Sequence, residues 1–197
     1  FVGEEEGGEA GSGLAWHCDP LDGTTNFVHG HPFWCVSVGL MLGRRPLLGA
    51  VVAPALAAEW HGWVSGGAWR IGEPCHVSDT LRLEDSLVAT GFPPDRSDSR
   101  TNNLRSFERA KQLVQAVRRC GSAALDLCLV ADGTYDAYWE RPLHSWDTAA
   151  GAALVLSAGG RVTALDGGPV DLSVGHLVAS NGHVHDALVG LVLDHRS

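Results

Sequence analysis

Several things are scarce or missing in this 197-residue sequence. No apolar run approaches the ~18 to 20 residues that a membrane-spanning helix needs, so no membrane contact is expected. No basic stretch leads into an apolar core and cleavage site, so no secretory leader is visible. Positive charge is in short supply: 14 Lys plus Arg stand against 23 Asp plus Glu, a net charge of −9. A surface of that sign repels phosphate backbones and argues against nucleic acid as a partner. The five cysteines (Cys18, Cys35, Cys75, Cys120, Cys128) form no C-x-x-C pair, and their odd number at wide spacing is not a disulfide framework. They read as buried reduced thiols of a cytoplasmic protein. There is no internal repeat and no linker. An initial methionine is also missing: the chain opens on Phe1-Val2 and runs straight into an acidic stretch, and we read it as lacking its beginning.

What is present suits one soluble globular domain over residues 1–197. Hydrophobic residues make up 45% and charged residues 19%, enough apolar material for a sizeable core. Residues 3 to 13 are rich in Gly and Glu and read as a loop. A short strand is expected at Trp16 to Cys18. Residues 33 to 42 and 47 to 53 form a hairpin around G-R-R-P, and residues 59 to 64 and 68 to 71 continue an antiparallel meander through a Gly66-Gly67 turn. A new strand is expected at 86 to 90, a helix from Thr101 to Val117, and a buried helix over 122 to 131. A strand follows at 135 to 139, then a helix from Asp147 to Ala158 stopped by Gly159-Gly160. Strands near 161 to 164 and 176 to 179 and a last helix over 183 to 193 complete the pattern. A run of strands that then mixes with helices favours a layered α+β architecture.

The sharpest local feature is Asp19-Pro20-Leu21-Asp22-Gly23-Thr24-Thr25-Asn26. Pro20 fixes φ and Gly23 permits a tight bend, so both carboxylates and the Leu21 carbonyl can aim at one point. Mg²⁺ favours such an all-oxygen shell. Backbone N–H groups at Gly23 and Thr24 can then meet a phosphate if a helix starts there. The same residues are also ordinary turn chemistry, with each Asp satisfying backbone amides. Glu4-Glu5-Glu6 alone is a solvated acidic loop. Asp147 alone is a first-turn capping residue. Together the three segments supply the separated carboxylates that a catalytic magnesium site requires.

The motifs W-H-C-D-P-L-D-G-T-T-N-F-V-H (16–29), W-D-T-A-A-G-A-A-L-V-L-S-A-G-G (146–160) and F-V-G-E-E (1–5) stand in an order that resembles the inositol monophosphatase family of lithium-sensitive, Mg²⁺-dependent phosphatases. A-T-G-F-P near residue 90 and G-S-A-A-L-D-L near 121 extend the resemblance over essentially the whole chain. It implies a five-layer α/β/α/β/α sandwich, usually as a homodimer. It implies two or three Mg²⁺ held by Glu4, Asp19, Asp22, Asp147 and the Leu21 carbonyl, and a phosphate held by the N–H groups of Gly23 and Thr24. Thr24, Asp22 and Glu4 would form the catalytic set around the attacking water, with the Thr24 hydroxyl orienting or deprotonating it. Gly121, Ser122, Ala123 and Glu140 would line the side that receives the sugar or alcohol, with Asp147 also at the substrate. The plain alternative for Glu140 is a surface carboxylate after a strand. Cys18 stands where the family usually has an aliphatic residue, and Ser157 where it usually has glutamate. The family's N-terminal helices, which cover the sheet and partner the motif threonine with a further acid, have no counterpart before Phe1.

The expected reaction is hydrolysis of inositol monophosphate or a related sugar or alcohol phosphate by metal-activated water. Histidinol phosphate, fructose bisphosphate and adenosine bisphosphate are the alternative substrates, and a catalytically impaired binding or regulatory module is the non-enzymatic alternative. A haloacid-dehalogenase-type phosphatase needs D-x-D, whereas the spacing here is D-x-x-D. Zinc at His29/His31 or His183/His185 lacks a full ligand set. Trp34, Trp60, Trp63 and Trp69 are candidates for either core or a dimer surface.

Overall fold

The computed structural model describes residues 1–4, 11–92 and 103–193. Glu5, Glu6, Pro93 and the start of the helix expected from Thr101 lie outside the described residues. The first half of the chain makes one seven-stranded sheet whose spatial order follows the chain: β1 (Val2–Gly3), β2 (Leu14–Asp22), β3 (Cys35–Leu42), β4 (Arg45–Ala53), β5 (Ala58–Trp63), β6 (Gly67–Arg70) and β7 (Glu73–Cys75). A short helix, α1 (Thr24–Val28), joins β2 to β3. From β2 onward every pairing is antiparallel, as the meander reading expects, but β1 joins parallel to β2.

The second sheet takes β8 (Leu87–Thr90), β9 (Ala116–Arg118), β10 (Ala137–Glu140), β11 (Arg161–Thr163) and β12 (Leu177–Ser180) in the order β11-β12-β10-β8-β9. Helices α3 (Ala123–Ala131) and α4 (Ser145–Ser157) pack between the sheets, while α2 (Leu104–Leu113) and α5 (His185–Val192) cover the far side of the second. The alternation of β10 serves both layers: Tyr138 enters the core between the sheets, and Trp139 the core beneath α2 and α5. The α+β sandwich is therefore as expected, with four layers described. Among the described residues no helix lies on the outer face of the first sheet, where Leu14, Trp16, Val36, Leu42, Val52 and Trp63 are exposed. No helix among them is long and apolar enough to cross a membrane.

Small residues set how closely α4 approaches the first sheet. Gly39 pairs with Gly49 and Gly49 with Gly62, making a glycine row across three strands. A Cβ on Gly39 would lie 2.6 Å from the Ala150 nitrogen, and one on Gly49 would overlap the Ala150 carbonyl. The helix backbone thus rests directly on the sheet. On its other side, a Cβ at Gly151 would overlap the Leu127 side chain of α3. The T-A-A-G-A-A run packs one helix between two neighbours, and this contact carries its N-terminus to the end of β2.

Some local expectations are corrected. The strand expected at Trp16 to Cys18 runs from Leu14 to Asp22 because both neighbouring strands pair with it. The helix expected to reach Val117 stops at Leu113, where Val114 turns extended (ψ 160°) and residues 116–118 pair with β8. Its buried face is Ser106, Ala110 and then Val114, while Leu104 and Leu113 are exposed. Strands β1, β7 and β9 were not expected; each has two or three residues and is held by a neighbour rather than by its own pattern. The tryptophans divide by strand parity: Trp60 faces the core, while Trp63 and Trp69 stack at 5.0 Å on the outer face. All five cysteines are free thiols, but only Cys35 and Cys128 are fully buried.

Candidate active site

The carboxylates meet where β1 and β2 end and α4 begins. Parallel pairing sets Val2 beside His17 and Gly3 beside Cys18, which brings Glu4 alongside Asp19. A register shift in β2 between Asp19 and Asp22 inserts a bulge, and the bulge turns both side chains toward the same end of the sheet. Gly23 then adopts φ 91°, and a Cβ there would meet the Phe33 carbonyl at 2.9 Å. Only glycine fits this bend without strain. Helix α1 starts at the next residue, so N–H groups of its first turn are left without helical partners. The glycine row delivers Asp147, in the first turn of α4, to the same place.

Each carboxylate has an oxygen engaged by the protein. Asp19 accepts from the Leu21 N–H (2.8 Å). Asp22 accepts from the Ser122 hydroxyl (2.6 Å) and the Ala124 N–H (2.8 Å). Asp147 accepts from the His144 N–H (2.7 Å), closing a capping box. Turn chemistry and capping are therefore real here and coexist with a common cavity: Glu4, Asp19, Leu21, Asp22 and Asp147 all line a cleft of about 510 Å³. Burial, then the charges of Asp22 and Glu4, push Asp19 up to about 7. Burial and Asp147 lift Asp22 to about 7, and burial, Asp19 and Glu4 do the same to Asp147. These carboxylates crowd one another, and a hard divalent cation is the counter-charge that fits such donors. The arrangement is open: among the described residues no three His, Cys, Asp or Glu side chains converge as a ready-made metal cluster.

Gly23, Thr24, Gly121, Ser122, Ala123 and Glu140 line the same cavity, so every residue that the family resemblance implied for the site is brought to it. Two of them have structural tasks there. The Thr24 hydroxyl donates to the Leu21 carbonyl (3.0 Å). Ser122 caps α3 by accepting from the Leu125 N–H (3.3 Å) while it donates to Asp22, so its hydroxyl holds a carboxylate at the cleft wall. Glu140 is buried, not a surface carboxylate. Tyr138 donates to it, and burial with Asp22 pushes it up to about 7.

Sequence reasoning missed four contributors. Gly91 lies against Glu140, and a Cβ there would overlap its carboxylate. Asn26 donates to the Phe33 carbonyl (2.7 Å) and the Cys120 carbonyl (2.8 Å), which ties the turn after Gly23 to the 120–122 segment. Phe92 and Arg119 line the same cleft, with the Arg119 guanidinium 6.0 Å from the Phe92 ring centroid. The D-G-T-T-N and A-T-G-F-P strings pointed at Asn26, Gly91 and Phe92; nothing local marked Arg119. The histidines considered for zinc stand elsewhere: His29 and His31 are exposed, and buried His185 has both ring nitrogens engaged, by Thr163 and Ser180 at 2.8 Å each.

The chain is 44% identical over 190 residues to an inositol-1-monophosphatase of Synechocystis, covering 95% of this chain and 66% of that protein. It is 39% identical to a chloroplastic phosphatase of Arabidopsis thaliana, covering 96% of this chain and 53% of that one. It therefore spans between about half and two thirds of these relatives. The structure of an inositol monophosphatase from Anabaena superimposes with a TM-score of 0.92 at 42% identity, covering 96% of this chain and 76% of that one. The inositol monophosphatase family pattern itself matches residues 1–197, and with the carboxylate-lined cleft at the ends of β2 and α4 this establishes that the chain belongs to the inositol monophosphatase family.

Proposed function

We propose that the cleft hydrolyses phosphate monoesters of small polyols, inositol monophosphate first among them, with bound Mg²⁺. The observation that carries this reading is that Glu4, Asp19, Asp22 and Asp147, from three separated segments, line one cleft together with Glu140. The names of the relatives support the same substrate class. Glu4, Asp19, Asp22, Asp147 and the Leu21 carbonyl would hold two or three cations. When bound, these ions supply Lewis-acid chemistry: activation of the attacking water and neutralisation of charge on the leaving oxygen.

The protein's own groups do the rest. The N–H groups of Gly23 and Thr24 bind the phosphate oxygens and fix its orientation. The Thr24 hydroxyl, held at the Leu21 carbonyl, orients the attacking water together with Asp22 and Glu4. Glu140 accepts hydrogen bonds from hydroxyls of the alcohol, and Gly91 leaves room for it to do so. Homodimer formation, lithium sensitivity and a cytoplasmic site of action belong to the same reading.

A second, broader reading has one specific observation behind it. Arg119 borders the alcohol side, and among the described residues it makes no ion pair, so a cation is available for a second anionic group on the substrate. A relative of this kind, 38% identical, is named a fructose-1,6-bisphosphatase/inositol-1-monophosphatase in Aquifex aeolicus.

The test is phosphate release from myo-inositol 1-phosphate with Mg²⁺ titrated in, with and without Li⁺, and with Asp19→Asn as control. Release that requires Mg²⁺, falls with Li⁺ and vanishes in the variant is the expected outcome. A folded chain that binds Mg²⁺ but releases no phosphate from any small sugar phosphate would overturn the reading in favour of a binding module.

A further inference from the structure

The glycine row that seats α4 has a fourth member. Gly39 pairs with Gly49 on one side and with His17 on the other. His17 is the one bulky side chain in the row. It is 1% exposed, and its Nδ1 shares a hydrogen bond of 2.9 Å with the Ser145 hydroxyl. Its other ring nitrogen, Nε2, has no protein partner. The positions of these two residues are informative. His17 stands two residues before Asp19 on the same face of β2, and Ser145 stands two residues before Asp147 in the first turn of α4.

A helix of alanine and glycine lying on a row of glycines has its distance from the sheet well defined. On its far side α4 is keyed by the Leu127 side chain at Gly151, but the sheet side near its N-terminus has little beyond backbone and small side chains to fix its position against β2. Among the described residues, His17–Ser145 is the only side-chain-to-side-chain hydrogen bond between the first sheet and α4. The nearby link from the Ser37 hydroxyl to the Trp146 carbonyl is long, at 3.5 Å. The capping box fixes Asp147 within its own helix but says nothing of where that helix stands against β2.

We propose that His17 and Ser145 form a latch between β2 and α4 that sets Asp147 against Asp19 and thereby sets the site's affinity for its cation. Both are positioning residues, since neither lines the cleft that holds the carboxylates. The inference deepens the proposed function and rests on its cation site.

The experiment measures Mn²⁺ binding to the full chain from the electron paramagnetic resonance of the free ion, with the metal-free melting temperature read in parallel. Ser145→Ala and His17→Leu each weaken binding by about three- to tenfold, the scale of one hydrogen bond. The double variant is no weaker than either single one, because both remove the same interaction. Ser145→Thr and His17→Asn, which keep a hydrogen-bonding atom at each position, restore most of the affinity. Should His17→Leu not fold, Ser145→Ala decides alone. A Ser145→Ala chain that melts lower but binds Mn²⁺ as the parent does would show a merely structural bond and overturn the latch, as would additive losses. A parent chain that does not bind Mn²⁺ would overturn the cation reading itself, and the latch with it.

Discussion

The two sides of the cleft are built in different ways. On the carboxylate side three of the contacts are local: Asp19 bonds the amide two residues on, Thr24 the carbonyl three residues back, and Asp147 the amide three residues back, while Asp22 alone is held from afar, by Ser122 and Ala124. On the Glu140 side the contacts come from far apart in the chain: Gly91 makes room for Glu140, and Phe92 meets Arg119. The first side is mostly a set of local turns that the sheet and α4 bring together, and the second exists only once the fold is complete. On the proposed function, chemistry common to every phosphate monoester belongs to the first side, which makes it the phosphate end, and discrimination among alcohols belongs to the second, the alcohol end.

The sharpest way to break this division is to remove one carboxylate from each end. Asp22→Asn leaves the side chain's size intact but removes a negative oxygen at the carboxylate cluster, so kcat falls at least about a hundredfold whatever the alcohol. Glu140→Gln should lose much less in kcat and show its effect in KM, by an amount that varies from one alcohol to another. Steady-state kinetics on three sugar phosphates at saturating Mg²⁺ separates the two. Equal loss across substrates in both variants would erase the division.

Protons offer a second probe. Asp19, Asp22 and Asp147 are each raised to about 7, so the metal-free fold holds protons that the unfolded chain releases near pH 4. The stability they contribute is present below pH 4 and is lost as pH rises through 7. A cation must displace the same protons. Its affinity therefore climbs by roughly tenfold per pH unit for each proton displaced below pH 7 and levels off above. Calorimetry at pH 6.5 in two buffers of different ionisation enthalpy should detect protons released on Mg²⁺ binding. No release would place the carboxylates already ionised. At the other end, Gly91→Ala should raise KM about tenfold by displacing the Glu140 carboxylate while leaving Mg²⁺ affinity unchanged, since it touches none of the cation donors.

The same division decided what could be read from the amino-acid sequence. D-P-L-D-G-T-T and W-D-T-A-A-G carry much of their geometry in themselves, because a positive φ and an N-terminal cap depend on neighbours within four residues, whereas the bulge at Asp19–Asp22 appears only when β2 pairs with β3. The pattern of alternation gave the long strands of the first sheet for a similar reason. Glu4 is the intermediate case: its motif was legible, but its place beside Asp19 depends on β1, a two-residue strand that no periodicity could announce. β9 is invisible in the same way, since its residues become a strand only by pairing with β8. Ser122 shows a residue correctly brought to the cavity for another reason. Its hydroxyl bonds Asp22, a hundred residues away in sequence, and that bond is a product of the folded chain.

Arg119 is where the comparison can be made finest. It is exposed on the alcohol side, 6.0 Å from the Phe92 ring centroid, and it draws Glu140 and Asp126 toward their charged forms. An exposed guanidinium near an anion contributes about 1 kcal/mol or less, so its loss is felt as a few-fold change. Arg119→Gln should therefore raise KM for inositol monophosphate only slightly and raise it about fivefold for a sugar bisphosphate. The gap between the two substrates should close as salt is added, because exposed charges are screened. Equal effects on both substrates at all salt concentrations would show Arg119 acting on the pocket's acids instead of on the substrate, and the alcohol end would then select by shape and hydroxyl pattern alone.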